Sequence, residues 1–207
     1  MNMKRIFAIF PILLTAVMFC VSCSETKETS DYENWKERNR DYIAEIASGI
    51  GDLTPETASE GESFKILHYA LNPEATWGNG SYVYCKVLKK GNDTVSPCYT
   101  DSIRINYRVR LMPTDNYPEG QVVDQSFKTS TLDPNVNIPS SFKVSALIQG
   151  ISTALMYMHK GDYWRVYIPY QLGYDNQKKG SIPAYSTLIY EINLTEVSKT
   201  GRMLSPR

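Results

Sequence analysis

The chain has 207 residues, of which 42% are apolar, and its 22 basic side chains equal its 22 acidic ones in number. Without a basic excess it lacks the charge that nucleic-acid partners require, so we expect no nucleic-acid binding. The length and the apolar content suit one domain with a core and an N-terminal extension.

Residues 1–22 have the pattern of a secretory signal peptide. Two basic residues precede an apolar run over residues 6–21, which is short for a membrane span. The small residue Ser22 stands directly before Cys23, as in a bacterial lipobox. We therefore expect cleavage before Cys23, lipidation of that cysteine, and anchoring in a bacterial cell envelope at the outer membrane. An ordinary cleaved signal and an uncleaved anchor are the alternatives.

A tether and a helix follow the signal. The polar segment 24–30 suits a tether, and residues 30–47 have the pattern of a helix, with Ser30 and Glu33 as a capping-box pair at its start. The apolar residues that recur at helical spacing are Tyr32, Trp35, Tyr42, Ile43 and Ile46. This face either packs on the rest of the chain or forms a homodimer through helix 31–47.

Two cysteines remain beyond Cys23, and their spacing predicts a disulfide. Residues 82–88 and 94–99 suit the two strands of a hairpin with a Gly-Asn turn between them. Counting from that turn places Cys85 opposite Cys98, at a site where cross-strand side chains approach closely. Export favours oxidation, so we expect the pair to be bonded. Two buried free thiols are the alternative.

The pattern changes from helix to strand after a linker. We expect a tether, helix and linker over residues 23–62 and a domain over residues 63–200. The predicted strands are Phe64–Leu71, Tyr82–Leu88, Ile103–Leu111, Val122–Ser126, Phe142–Val144, Tyr163–Ile168 and Leu188–Val197, with one helix over Ala146–Met158. This order predicts an α+β fold, in which a curved antiparallel sheet wraps around one short helix, with an N-terminal helical extension.

The strand over Ile103–Leu111 alternates strictly between apolar and polar residues. Its polar residues are Arg104, Asn106, Arg108 and Arg110. Arginines in a row can bind phosphate, but alternation in a strand favours a solvated face, which is our expectation here.

The sequence offers little acid–base or metal chemistry. Neither His68 nor His159 has a cysteine or carboxylate at a spacing that indicates a catalytic pair, and both are expected to be structural. No metal-ligand spacing and no serine nucleophile elbow is present, so we predict no metal site and no cofactor.

From about residue 101 to residue 197 the chain resembles an FKBP-type peptidyl-prolyl cis-trans isomerase of the exported lipoprotein branch. The matching pieces are Ile105–Tyr107, Gly120–Asp124, Phe142–Val144, Leu147–Gly150, Ala154-Leu155, Met158, Gly161, Ile168-Pro169, Leu172–Tyr174, Ile182-Pro183 and Ser186–Tyr190. The resemblance implies isomerisation of X-Pro bonds in exported proteins, with proline-containing segments as partners.

The resemblance also implies a site. Asp124 would be a buried carboxylate near the substrate carbonyl, Tyr174 would offer its hydroxyl to the substrate, and Tyr107 would line the wall with them. The residues implied to bind the substrate are Val123, Phe142, Leu147, Ile148, Ile151, Ile182 and Tyr190. The backbone N–H of Ile148 would serve as a hydrogen-bond donor at the mouth of the pocket.

Three positions depart from the family pattern. Ile151 stands where the family commonly has Trp at the pocket floor, Val123 where it has Phe, and Asp175 where it has Gly. These changes reduce the aromatic area of the pocket. They leave open a second interpretation, a non-catalytic FKBP-fold module that binds peptides or acts as a chaperone.

Overall fold

The last strand of the chain lies inside the sheet. The computed structural model describes residues 30–133, 136–202 and 204, and the chain from Asp31 onward forms one compact unit. The helices are α1 (Trp35–Ser48) and α2 (Gln149–Leu155). The strands are β1 (Ser63–Leu67), β2 (Tyr82–Lys89), β3 (Ser102–Leu111), β4 (Val122–Gln125), β5 (Ser140–Lys143), β6 (Tyr163–Ile168) and β7 (Leu188–Ser198).

Seven strands form one antiparallel sheet in the order β1-β2-β6-β7-β3-β4. The short strands β4 and β5 share the remaining edge of β3, where β4 pairs with residues 108–110 and β5 with residues 102–105. The predicted α+β class, an antiparallel sheet with one short helix before its last two strands, is confirmed.

The sheet has an inner face, which packs with α2, and an outer face. Apolar residues of β3, β6 and β7 alternate onto the inner face and form one core with Ile151 and Leu155 of α2. A Cβ atom at Gly150 would lie 2.4 Å from Cγ2 of Ile168 on β6. Glycine at this position therefore lets α2 approach the sheet closely.

Helix α2 is shorter than the predicted helix over Ala146–Met158. Residues 144–146 form a 3₁₀ turn, and Leu147 and Ile148 have extended backbones before the helix begins at Gln149. The hydroxyl of Ser152 donates to the Val144 carbonyl at 2.8 Å, which ties the first turn of α2 to this segment. Leu147 and Ile148 therefore belong to the segment that leads into the helix and not to the helix itself.

Helix α1 also begins later than its capping pattern predicts. Asn34 is its N-cap residue, with a left-handed backbone and no side-chain capping bond, and Ser30 and Glu33 precede it outside the helix. One face of α1 is buried, and Trp35 and Ile43 are 7% and 3% exposed. Packing of this face, rather than a capping box, accounts for where the helix starts.

The predicted hairpin over residues 82–99 is wrong, and with it the disulfide. Strand β2 pairs with β1 on one side and β6 on the other, and residues 90–99 form no strand. Cys85 is buried on the inner face of β2, Cys98 is exposed, and both are free thiols. Burial in this apolar setting raises the pKa of the Cys85 thiol.

The outer face of β3 is not the solvated face that its arginines predict. Arg108 is only 5% exposed, and its guanidinium donates to the Gln125 side chain at 2.9 Å and to the Thr129 and Ser130 carbonyls at 2.5 Å. The guanidinium carbon also lies 4.8 Å from the Phe127 ring centroid. The segment after β4 therefore folds back over this face and uses the arginine as its anchor.

The predicted signal peptide, the tether and Cys23 lie outside the described residues. Among the residues that the structure does describe, no helix has the length and apolar content to cross a membrane.

Candidate functional site

The candidate site lies on the inner face, where β3, β4 and β7 lie side by side. Val109 of β3 pairs with Asp124 on one side and with Tyr190 on the other. Directly opposed residues of paired strands project to the same face of the sheet. The register therefore brings the Asp124 and Tyr190 side chains to one face, with Tyr107 two positions along β3.

Nine of the ten predicted site residues belong to one apolar cluster. Ile151 and Ile182 are buried members of that cluster. The partly buried residues that pack against it are Tyr107, Val123, Phe142, Leu147, Ile148, Tyr174 and Tyr190. The tenth residue, Asp124, joins them through a hydrogen bond, because the Tyr107 hydroxyl donates to its Oδ2 atom at 3.0 Å. The structure thus brings together residues that are up to 83 positions apart in the chain.

Aromatic rings form one wall of this site. The Tyr107 and Phe142 rings meet edge to face, with centroids 5.8 Å apart and planes 69° apart. Phe142 reaches Tyr107 because β5 pairs with the first half of β3, where Phe142 lies opposite Ile103. Edge-to-face pairs of this kind fix the orientation of both rings.

Three tyrosines of the site feel the charge of the Asp124 carboxylate, and one of them, Tyr107, is hydrogen-bonded to it. Burial, followed by the charge and the hydrogen bond of Asp124, raises the pKa of Tyr107 to about 12. Burial and the Asp124 charge also raise the pKa of Tyr174, and burial together with the Tyr174, Asp124 and Tyr107 groups raises the pKa of Tyr190. All three phenols are therefore protonated at neutral pH, and Tyr107 already uses its hydroxyl hydrogen in the bond to Asp124.

Asp124 is exposed, although the resemblance implies a buried carboxylate. Strand β4 has four residues and lies at the edge of the sheet, so no neighbouring strand covers its open side. One carboxylate oxygen accepts the Tyr107 bond, and the carboxylate stays open to solvent. In this position the carboxylate is suited to orient the Tyr107 hydroxyl. It is less suited to proton transfer, which a closed pocket would favour.

The mouth of the site has an unused backbone donor. Ile148 is the N-cap residue of α2, and its carbonyl accepts from the Ser152 N–H at 3.1 Å. Among the described residues, no group accepts a hydrogen bond from the Ile148 N–H. This is the donor that the resemblance implies, and a substrate carbonyl is a suitable acceptor for it.

Asp175 follows Tyr174 with a positive backbone φ of 50°. A left-handed conformation favours glycine, which is the residue the family pattern has here, and aspartate is among the few other residues that tolerate it. The Asp175 N–H donates to the Tyr170 carbonyl at 2.8 Å. The departure from the pattern therefore leaves the chain path after Tyr174 intact.

A cavity of about 670 Å³ lies on the outer face of the sheet. Its lining includes Arg108, Arg110, Tyr163, Arg165 and Glu191, and none of the ten predicted site residues. The sheet itself separates this cavity from the inner-face site.

Residues 94–195 match the family of FKBP-type peptidyl-prolyl cis-trans isomerases. The FKBP-type 22 kDa peptidyl-prolyl cis-trans isomerase of Escherichia coli strain K12 is 30% identical over 141 residues, which are 68% of this chain and 62% of that protein. The macrophage infectivity potentiator of Trypanosoma cruzi is 26% identical over 205 residues, which are 98% of this chain and 89% of that protein. The outer membrane protein MIP of Legionella longbeachae is 25% identical over 163 residues, which are 78% and 63% of the two chains.

The chain thus spans less than two thirds of the length of the Escherichia coli and Legionella relatives. Among solved structures, the crystal structure of FkpA from Escherichia coli superposes with a TM-score of 0.55 at 21% identity, over 82% of this chain and 62% of that one. At this identity the superposition establishes the shared fold alone.

Proposed function

Because the chain belongs to the FKBP-type peptidyl-prolyl cis-trans isomerase family, we propose that its inner-face site accelerates rotation about X-Pro bonds in exported proteins. The observation that carries the proposal is the apolar cluster around the Tyr107–Asp124 hydrogen bond. The apolar and aromatic side chains of the cluster suit contact with a proline ring, with phenol and backbone donors at its edge.

The reaction needs no covalent step. Amide resonance gives the X-Pro bond a rotation barrier of about 18–20 kcal/mol, and uncatalysed exchange takes tens to hundreds of seconds. Water stabilises the planar, polar form of the amide. A site that holds the proline among apolar side chains favours the twisted, less delocalised amide and so binds the transition state better than the ground state.

The roles of the polar groups follow from this chemistry. Tyr174 and the Ile148 N–H would donate to substrate carbonyls and hold the backbone on either side of the rotating bond. Asp124 would orient the Tyr107 hydroxyl, and the raised pKa of Tyr107 keeps that hydroxyl protonated. Ile151 would form the floor under the proline ring, where its smaller surface replaces the indole of the family pattern.

A cis-to-trans assay tests the proposal directly. The mature protein is added to a peptide that contains one X-Pro bond, and the rate is compared with that in buffer. We expect acceleration in proportion to protein concentration. A well-folded preparation whose rate equals that of buffer would contradict the proposal and support the non-catalytic binding module, which relatives named as isomerases do not favour.

The location is a proposal of its own. A relative named as an outer membrane protein supports the bacterial cell envelope as the site of action. We further propose that Cys23 carries a lipid that anchors the chain at the outer membrane. Mass spectrometry of the N-terminal peptide from cells tests this, with Cys23→Ala as the control. An unmodified Cys23, or an intact signal segment, would contradict lipidation.

A homodimer through helix 31–47 stays a separate hypothesis. The buried residues of α1 are Trp35, Asn39 and Ile43, which contribute to contacts within one chain. A dimer would therefore have to use the other face of the helix. Light scattering of the mature chain at several concentrations decides between one copy and two.

A further inference from the structure

Helix α1 reaches across the fold to the long connection between β6 and β7. We call residues 169–187 the site loop, because it carries both Tyr174 and Ile182. We propose that α1 is a built-in brace for the site loop, and that Trp35 and Asn39 are positioning residues for the isomerase reaction. The inference rests on the proposed function and adds two residues that lie outside the site.

The first contact is a relay of two hydrogen bonds. The indole Nε1–H of Trp35 donates to the Ser186 hydroxyl at 2.9 Å, and that hydroxyl donates to the Pro183 carbonyl at 2.8 Å. Trp35 is 7% exposed and Ser186 is 4% exposed, so water does not compete freely for either bond. Because Pro183 directly follows Ile182, the relay fixes the backbone next to a site residue.

The second contact is fully buried. Asn39 and Thr187 have no exposed surface. The Asn39 side-chain oxygen accepts the Thr187 N–H at 2.7 Å, while its amide group donates to the Trp35 carbonyl at 2.6 Å. Removing this side chain would leave a buried backbone N–H without an acceptor, which is costly. Asparagine thus fastens the end of the site loop to the helix.

The third contact links the two ends of the site loop through the rings of Tyr170 and Tyr185. The Lys36 ammonium lies 4.5 Å from the Tyr185 ring centroid, and that ring meets the Tyr170 ring edge to face at 5.4 Å. Tyr185 has a positive φ of 61°, and its N–H donates to the Asp175 carbonyl at 2.7 Å. A tyrosine rarely adopts this backbone without support, and α1 supplies part of that support.

Tyr174 and Ile182 lie between Tyr170, which α1 reaches through the Tyr185 ring, and the direct contacts of α1 at residues 185–187. A site that works by holding an amide in a twisted geometry loses rate when its walls shift by a fraction of an ångström. The brace therefore acts on catalysis through the positions of Tyr174 and Ile182, without contact between α1 and the substrate.

The experiment compares Trp35→Phe, which keeps the ring and removes the Nε1–H, with Ile43→Val as a matched control. Ile43 is buried in the same helix and makes no hydrogen bond to the site loop. We expect Trp35→Phe to lower kcat/KM about five-fold and to change the preference for the residue before proline, whereas Ile43→Val stays within about two-fold of the parent. Urea unfolding first measures the free energy of unfolding of both variants, so that the change in kcat/KM is compared at a known loss of stability.

A double variant isolates the relay. Ser186→Ala removes the same bond from the other side, so adding Trp35→Phe to it should have little further effect on kcat/KM. Additive effects of the two substitutions would overturn the relay. Equal loss of activity in Trp35→Phe and Ile43→Val would also overturn the proposal, because it would reduce the role of Trp35 to stability.

Hydrogen exchange gives a readout that does not depend on activity. We expect Trp35→Phe and Asn39→Ala to speed amide exchange over residues 174–187 at least about five-fold and to leave β1 unchanged. If the parent proves inactive, the proposed function fails while faster exchange still supports the brace. Unchanged exchange over the site loop overturns the brace whether or not the parent is active, and faster exchange with unchanged catalysis overturns the positioning role.

Discussion

Asp124 and Val109 are cross-strand partners, and this register brings the carboxylate to the inner face of the sheet. Strand β4 lies at the edge of the sheet, so the carboxylate stays open to solvent on one side. It still accepts a hydrogen bond from the Tyr107 hydroxyl. The site therefore combines an apolar floor with a carboxylate that is still hydrated.

Removing the Tyr107 hydroxyl should affect activity far more than folding. In Tyr107→Phe the hydrogen bond to Asp124 is lost while the ring still packs on Phe142. We expect kcat/KM for an X-Pro peptide to fall about ten-fold, and the free energy of unfolding to change by less than about 1 kcal/mol. Tyr117→Phe, at an exposed tyrosine, is the control. Unchanged kcat/KM in Tyr107→Phe would show that the hydroxyl has no role in the reaction.

The pH dependence of the reaction should be flat near neutrality. The pKa of Tyr107 is raised to about 12, and that of Tyr174 is also raised, so both phenols stay protonated at the pH values where most assays are run. We expect kcat/KM to vary less than about two-fold from about pH 6 to about pH 9. The measurement is a direct isomerisation assay without a coupling protease. A fall in rate that begins below about pH 9 would mean that one phenol ionises at its ordinary value.

Asp101 should make the fold sensitive to acid. Burial alone would raise the pKa of Asp101, but hydrogen bonds from the Cys98 N–H, the Lys199 ammonium and the Thr200 N–H lower it overall. Because the folded pKa lies below the unfolded one, this stabilisation is complete above the unfolded value of about 4 and declines as pH falls through the folded value.

The variant Asp101→Asn tests this assignment. We expect it to lower the free energy of unfolding at neutral pH by about 2 kcal/mol, since two backbone donors and one ammonium lose a charged acceptor. The difference from the parent should shrink when the pH is lowered to about 2, because the parent carboxylate loses its charge as the pH falls through its folded pKa. Urea unfolding at the two pH values measures both, and Asp115→Asn, at an exposed carboxylate, is the control. A difference that does not depend on pH would contradict the charge as the cause.

The two thiols should react very differently. Cys98 is exposed, whereas Cys85 is 1% exposed and burial raises its thiol pKa. Under native conditions we expect maleimide to label Cys98 completely while Cys85 reacts only after unfolding. Peptide mapping by mass spectrometry identifies the labelled residue. A protein from the envelope in which neither cysteine is labelled after unfolding without reductant would show the disulfide that the sequence predicts.

The sequence predicts elements well where one face of a strand is buried. Alternation locates β3, β6 and β7 within a residue, because one buried face imposes a period of two on each of them. The sequence pattern wrongly predicts a hairpin after β2, because Gly91 and Asn92 have the composition of a turn. A Cβ atom there would lie 2.4 Å from the Lys160 carbonyl oxygen, so this glycine is needed for close packing.

Contacts between distant residues leave no local signal. The resemblance names ten residues that the structure brings together, yet the exposure of Asp124 depends on β4 lying at an edge, which its own sequence does not encode. The role of α1 is hidden for the same reason. Trp35 and Ser186 are 151 residues apart, and a tryptophan on an apolar stripe predicts packing without its partner.

The position of β7 has a consequence for how the chain can fold. This strand joins β1, β2 and β6 on one side to β3, β4 and β5 on the other, and it is the last strand in the chain. A chain that emerges N-terminus first therefore has two separate groups of strands until residues 188–198 are available. The sheet can be completed only after residues 188–198 are available. Pairing between strands so far apart in the sequence is expected to form slowly. A C-terminal truncation within β7 would leave two half-sheets with open edges.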